Sequence, residues 1–179
     1  MNSIFSLRLK KAWFSVSHPR CWNALRLGVF PAIEHRPVLA GLDCDAIVDA
    51  GANRGQFSLI SRLVKPDLLI IAFEPIPTEA AIFRKALFDE NIQLHQVALG
   101  EKVGEAEIHL SRSADSSSLL PIGETQKKLF RDTDEVGRLN IPVKRLDDFQ
   151  GEWKGHARLL LKIDVQGFEL SVLKGAMET

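Results

Sequence analysis

Apolar and polar positions along the chain switch between two periods, and the switches mark the elements. Ala46-Ile47-Val48 is a short apolar run ending at Asp49 and reads as a buried strand. Glycines follow at 51 and 55. Phe57, Ile60, Leu63 and Val64 then recur at helical spacing, and Lys65-Pro66-Asp67 closes that helix. Residues 68–73 are apolar throughout, the pattern of a strand covered on both faces, and the run stops at Glu74. Pro75 and Pro77 make a rigid turn. Thr78 stands where it caps a helix carrying Ile82, Phe83, Ala86 and Leu87, and 92–98 reads as the third strand.

With connections this short between alternating strands and helices, parallel strands with helical crossovers are the natural solution, so 46–100 reads as the opening half of an α/β doubly wound sheet. The next stretch is less regular. Ala106, Ile108 and Leu110 alternate with Glu107 and His109, as in an extended segment. Ser116-Ser117-Ser118 lies in a polar loop, and 123–139 is charged without a firm period. Ile141-Pro142-Val143 is extended and leads to Leu146-Asp147-Asp148-Phe149. A buried strand returns over 159–165, with Asp164 near its C-terminal end, and 168–176 begins another helix.

The N-terminal segment has a different character. Phe5, Leu9, Trp13 and Val16 recur at helical spacing, and Trp22, Leu25 and Val29 extend the stripe beyond Pro19. Residues 1–33 hold Arg8, Lys10, Lys11, Arg20 and Arg26 and no acid. The pattern predicts an amphipathic helix packed on the domain; a weak membrane-surface segment has the same signature. The interrupting charges leave no apolar core of a secretory signal.

Composition narrows the classes. The 179 residues suit one domain, and 45% hydrophobic with 26% charged residues is a folding composition. Lys+Arg and Asp+Glu both number 23, so no overall basic charge points to nucleic acid. The positive N-terminal segment is therefore balanced by a net charge of minus five beyond it. Cys21 and Cys44 make neither a disulfide framework nor a zinc pattern, and the five histidines form no metal motif with the acids. No run approaches a membrane-spanning length.

The sharpest local feature is Asp49-Ala50-Gly51-Ala52-Asn53-Arg54-Gly55, set between a strand and a helix. Gly51 lets the chain turn close to a ligand, and the following helix start offers unpaired N–H groups. The Gly-x-x-x-x-Gly-Lys-Ser/Thr loop of nucleoside triphosphatases is absent. Asn53 occupies the middle position of a dinucleotide fingerprint, where pyrophosphate needs glycine. Glu74, ending the second strand, is placed to accept both hydroxyls of an adenosine ribose, as nicotinamide cofactors and S-adenosylmethionine both require.

These pieces, taken in order with Phe73-Glu74-Pro75-Ile76-Pro77, Val97-Ala98-Leu99-Gly100, Arg145-Leu146-Asp147-Asp148-Phe149 and Lys162-Ile163-Asp164-Val165-Gln166-Gly167-Phe168-Glu169, resemble the FkbM family of methyltransferases over about residues 45–177. The resemblance implies a Rossmann-like class I methyltransferase sheet with strand order 3-2-1-4-5-7-6. It implies S-adenosylmethionine as cofactor, with Asp49, Gly51, Asn53 and Gly55 around its methionine and ribose and Glu74 on the ribose diol. It implies O-methylation of a sugar, glycan or small natural product. Complete members continue past Gly175-Ala176, so the expected domain is partial: an N-terminal extension over 1–44, then a methyltransferase domain over 45–179 that is incomplete after its fourth principal strand. An open sheet edge of that kind invites self-association. The expected location is cytoplasmic, with a peripheral membrane contact as an option.

For the chemistry, Asp164 stands at a strand end, where functional groups gather in such sheets, and is the candidate base for the acceptor hydroxyl. Lys162 shares its side of the strand, either as a catalytic partner or in a structural ion pair with it. Ser117, Ser118 and Glu169 are candidate substrate contacts, Glu169 by the family match alone. The N-terminal helix is expected beside the substrate entrance. Two other classes stay open: a catalytically inactive fragment or binding domain, and a nicotinamide-dependent oxidoreductase, which Asn53 disfavours.

Overall fold

The computed structural model describes residues 3–111 and 135–179. Its centre is a parallel four-stranded sheet in the order β3-β2-β1-β7. The strands are β1 (Ala46–Ala50), β2 (Leu69–Phe73), β3 (Ile92–His95) and β7 (Leu159–Ile163). This is the 3-2-1-4 part of the expected order, and the fold is the expected Rossmann-like α/β arrangement. All five residues of β1 are buried, since β2 and β7 flank it, with Val48 opposite both Ile71 and Leu161, and packed layers cover both of its faces. Ile47, Ile70 and Ala72 face helices α3 (Arg36–Gly41), α4 (Gln56–Val64) and α5 (Pro77–Ala86). Ala46, Val48, Ala50, Ile71 and Phe73 face the opposite layer, where Leu146 and Trp153 bound a 3-10 segment and Val172 belongs to α6 (Glu169–Lys174). Among the described residues β7 pairs on one side only, and all five of its residues are half-buried.

A second sheet, β4-β6-β5, is built from β4 (Ala98–Leu99), β5 (Gly104–Ser111) and β6 (Glu135–Lys144). The expected single strand over 92–98 is thus two. The last rung of β3 on its neighbour is Glu74 N–H donating to the His95 carbonyl at 3.1 Å. Beyond it β2 offers no partner, and Ala98-Leu99 pair instead with Val143-Lys144. The alternating segment at 104–111 is a strand, antiparallel to β6 with Ile108 opposite Leu139. Helix α5 begins at Pro77 rather than on a Thr78 cap, a position that suits the fixed φ of proline.

The N-terminal helix reverses its expected orientation. In α1 (Ser3–Ser17) the stripe residues Leu9, Trp13 and Val16 are 56%, 77% and 61% exposed. The inward face is Lys11, Phe14, Ser15 and His18: Ser15 is fully buried, and the Phe14 ring stacks on His18 with centroids 4.0 Å apart. The apolar burial is instead supplied downstream. Cys21, Ala24 and Val29, on and beside α2 (Trp22–Arg26), pack with Leu59 and Phe83, while Ala32 and Leu39 pack with Ile47 and Ile60. Among the described residues no helix is long and apolar enough to cross a membrane.

Candidate functional site

A cavity of about 370 Å³ opens beyond the C-terminal ends of β1, β2 and β7. Its first wall is the turn that follows β1. Gly51 has φ +76°, and a Cβ built there would stand 2.0 Å from the Asp164 carbonyl oxygen, so only glycine lets the 163–165 backbone pass so close. The N–H groups of Gly51 and Ala52 both donate to the Phe73 carbonyl, at 3.0 and 2.9 Å, which pins the turn to the end of β2. Asn53 adopts φ +50° and accepts the Arg54 N–H on its side-chain oxygen at 2.7 Å. Gly55, at φ +90°, sits against Phe83 and Leu87, where a Cβ would collide with the Phe83 ring and a Leu87 methyl.

Glu74 forms the floor. Its carboxylate is buried, with one oxygen accepting the Asn53 N–H at 2.8 Å and the other the Ile76 N–H at 2.9 Å. Desolvation outweighs these two donors and pushes its pKa up to about 7, with repulsion from Glu79 and Asp49 adding to the rise. The apolar side chains Phe73, Ile76 and Val97 line the same region.

Of the residues singled out from sequence, Gly51, Asn53, Glu74, Lys162 and Asp164 line the cavity. Asp49 and Gly55 stand behind it. Asp49 is fully buried, accepts the Ser58 hydroxyl at 2.7 Å and has the Lys162 ammonium 2.9 Å from its other oxygen. Lys162 also donates to the Gly51 carbonyl at 2.8 Å. The expected pairing of Lys162 with Asp164 is therefore corrected. Lys162 stands opposite Asp49 in the β1–β7 register, closer than a residue two further along its own strand, and β7 has ended by Asp164. Asp164 is exposed at the cavity, with Gln166 donating to its carboxylate at 3.1 Å.

Glu169 is not among the lining residues. Its carboxylate accepts the Gly167 N–H at 3.0 Å at the start of α6, and those backbone donors hold its pKa below the usual value. Ser117 and Ser118 lie outside the described residues. The opposite wall, Lys11, Glu34 and His35 from the segment before β1, belongs to no sequence motif. Lys11 donates to Glu34 at 2.8 Å, and the His35 ring meets Phe57 edge-on at 5.4 Å. A basic residue of the N-terminal segment and the first acid of the chain are the available signal. Their meeting depends on a turn, Ile33–His35, whose register no periodicity reports. Among the described residues no cluster of His, Cys, Asp and Glu is arranged to hold a metal.

Residues 49–179 match the model of the methyltransferase FkbM domain. The chain is 36% identical to "Methyltransferase 1" of Beauveria bassiana over 149 residues, covering 74% of this chain and 59% of that protein. It is 30% identical to "31-O-demethyl-FK506 methyltransferase FkbM" of Streptomyces tacrolimicus, covering 73% and 59%. It is 25% identical to "2-O-methyltransferase NoeI" of Sinorhizobium fredii, covering 81% and 63%. The chain thus spans about three-fifths of the length of these curated relatives. No solved structure matches it. The ordered motifs, the parallel sheet and the matched length together make this chain a member of the FkbM methyltransferase family.

Proposed function

We propose that the chain binds S-adenosylmethionine between the 51–55 turn and Glu74 and serves transfer of a methyl group to a hydroxyl of a sugar, glycan or small natural product. The observation that carries this reading is Glu74: a buried carboxylate at the cavity floor, aimed by two backbone amides. The donor set fits an adenosine, whose ribose hydroxyls need an acceptor and whose flat base needs apolar neighbours such as Phe73, Ile76 and Val97. When bound, S-adenosylmethionine supplies a methyl carbon on a positively charged sulfur. Two of the relatives bear names that specify an oxygen as methyl acceptor, which supports a hydroxyl substrate.

The chain's own residues divide the work. Glu74 accepts hydrogen bonds from the ribose. Lys162 holds the Gly51 carbonyl and neutralises Asp49, which keeps the turn in place. Asp164, exposed at the cavity, takes the proton of the acceptor hydroxyl. Phe57 and Ile76 exclude water from the space between, and holding the reactants in line supplies much of the rate.

Calorimetry with S-adenosylmethionine, its demethylated product and NAD tests the cofactor. Heat with the first two alone is expected; equal or tighter NAD binding overturns the reading. Single-turnover transfer to hydroxylated sugars then tests Asp164. Asp164→Asn should keep cofactor affinity and lose transfer by about 10²–10⁴-fold. A parental rate across pH removes Asp164 as the base.

A further inference from the structure

The exposed face of α1 has a geometry that cofactor binding does not use. At roughly 100° per residue, Leu9, Trp13 and Val16 fall within one narrow arc of the helix, and Lys11, Phe14, Ser15 and His18 fall on the arc opposite. The second arc is packed inward; the first is open to solvent. Trp22 extends the open patch. Its indole N–H donates to the Val16 carbonyl at 3.1 Å, and the side chain is 52% exposed. Two of the chain's three tryptophans therefore lie together on the surface, while Trp153 is buried. Charge marks the same region. Lys10, Arg20 and Arg26 are exposed, and no acid occurs before Glu34.

We propose that this face docks on an anionic lipid bilayer, with α1 lying in the plane of the interface. The chemistry is that of an interfacial helix: tryptophan at headgroup depth, aliphatic side chains beneath it, and basic groups beside them drawn to acidic headgroups. A stripe turned out of the core, together with exposed basic groups on a segment that has no acid before Glu34, distinguishes this face from the isolated apolar residues common on any surface. A bilayer favours both features at once. A second copy of the chain would bring the same basic groups against themselves. The contact is peripheral, since no described helix is long and apolar enough to span.

The full chain is mixed with vesicles of phosphatidylcholine alone and of phosphatidylcholine with phosphatidylglycerol, and bound protein is read by sedimentation and tryptophan emission. Sedimentation with the anionic vesicles and a blue-shifted emission are expected, with weak binding to the neutral ones. Trp13→Gln should lower the anionic partition coefficient about tenfold, from the loss of a large inserted ring. Arg20→Gln should lower it about fivefold and reduce its salt dependence. Both positions are exposed, so the melting temperature and S-adenosylmethionine binding should stay at parental values; the latter keeps this test separate from the cofactor reading. Equal binding to both vesicles overturns the electrostatic half of the proposal. No binding to either, or a concentration-dependent dimer that Trp13→Gln abolishes without vesicles, overturns it altogether.

Discussion

The two walls of the cavity are made of different material. The 51–55 turn and Glu74 are held mainly by backbone amides, those of Gly51 and Ala52 on the Phe73 carbonyl and those of Asn53 and Ile76 on the Glu74 carboxylate, with the Lys162 ammonium adding a tie to the Gly51 carbonyl. The opposing Lys11, Glu34 and His35 wall is held by side chains, with one partly exposed ion pair between Lys11 and Glu34. A backbone-built wall resists substitution and suits a constant ligand. A side-chain wall can be changed residue by residue and suits the variable partner of the reaction. On the proposed function, the first belongs to the cofactor and the second to the acceptor.

The largest effect should come from Gly51→Ala. A methyl group at φ +76° and 2.0 Å from a backbone oxygen cannot be absorbed by a side-chain movement. Urea denaturation should show a loss of about 4 kcal/mol or more, or no folded protein. A loss below about 1 kcal/mol would mean that the 163–165 backbone yields readily. Lys162→Met should follow, at about 3 kcal/mol, because it leaves the fully buried Asp49 without its counter-charge. Asp49→Asn added to Lys162→Met should recover part of that loss; strict additivity of the two would deny the pairing.

Glu74 sets a pH dependence on the backbone wall. Its folded pKa of about 7 lies above the 4.5 of a free glutamate, so between those values the folded chain holds a proton that the unfolded chain has released. Its contribution is full below pH 4.5, falls as pH rises toward 7, and is constant above. Stability of the parent relative to Glu74→Gln should therefore decline across that window in denaturant titrations, and a flat difference would refute the assigned burial. Cofactor affinity should run the opposite way, rising to pH 8 as the carboxylate ionises and accepts the ribose hydroxyls. The smallest effect is expected on the side-chain wall. Lys11→Gln should change stability by less than about 1 kcal/mol and leave S-adenosylmethionine binding intact, while altering the KM for the acceptor. An equal effect on cofactor binding would erase the division between the walls.

The same contrast explains how far sequence carries. Strand β2 is a continuous apolar run, and β1 and β7 are apolar apart from Asp49 and Lys162; a turn with two glycines between strand and helix has few uses. That half of the site was visible in residues 46–74 and 159–165. The role of Lys162 was not, because strand periodicity gives the side of the sheet but not the neighbour across it; the β1–β7 register decides for Asp49. The second sheet was missed for a related reason. Residues 92–98 are apolar enough for one strand, and only the end of β2 makes the chain change partners after His95. In α1, amphipathic spacing located the helix correctly, yet periodicity is blind to which arc turns inward. Phe14, Ser15 and His18 won that face by local stacking and hydrogen bonding, while Cys21, Ala24 and Val29 filled the core instead.

The approach of Gly51 to the 163–165 backbone also constrains the order in which the molecule assembles. The Lys162–Gly51 hydrogen bond joins residues 111 apart in sequence. Contacts with that separation carry a large loop-closure cost and form late relative to local helices and neighbouring strands. During synthesis the 51–55 turn and Glu74 leave the ribosome long before their partner segment, so β1 and β2 must wait with one flank of β1 unpaired. Docking of β7 then pairs that flank and brings Lys162 and Asp164 to the cavity. Amide exchange at Gly51 and Asp164 should accordingly report the same opening reaction.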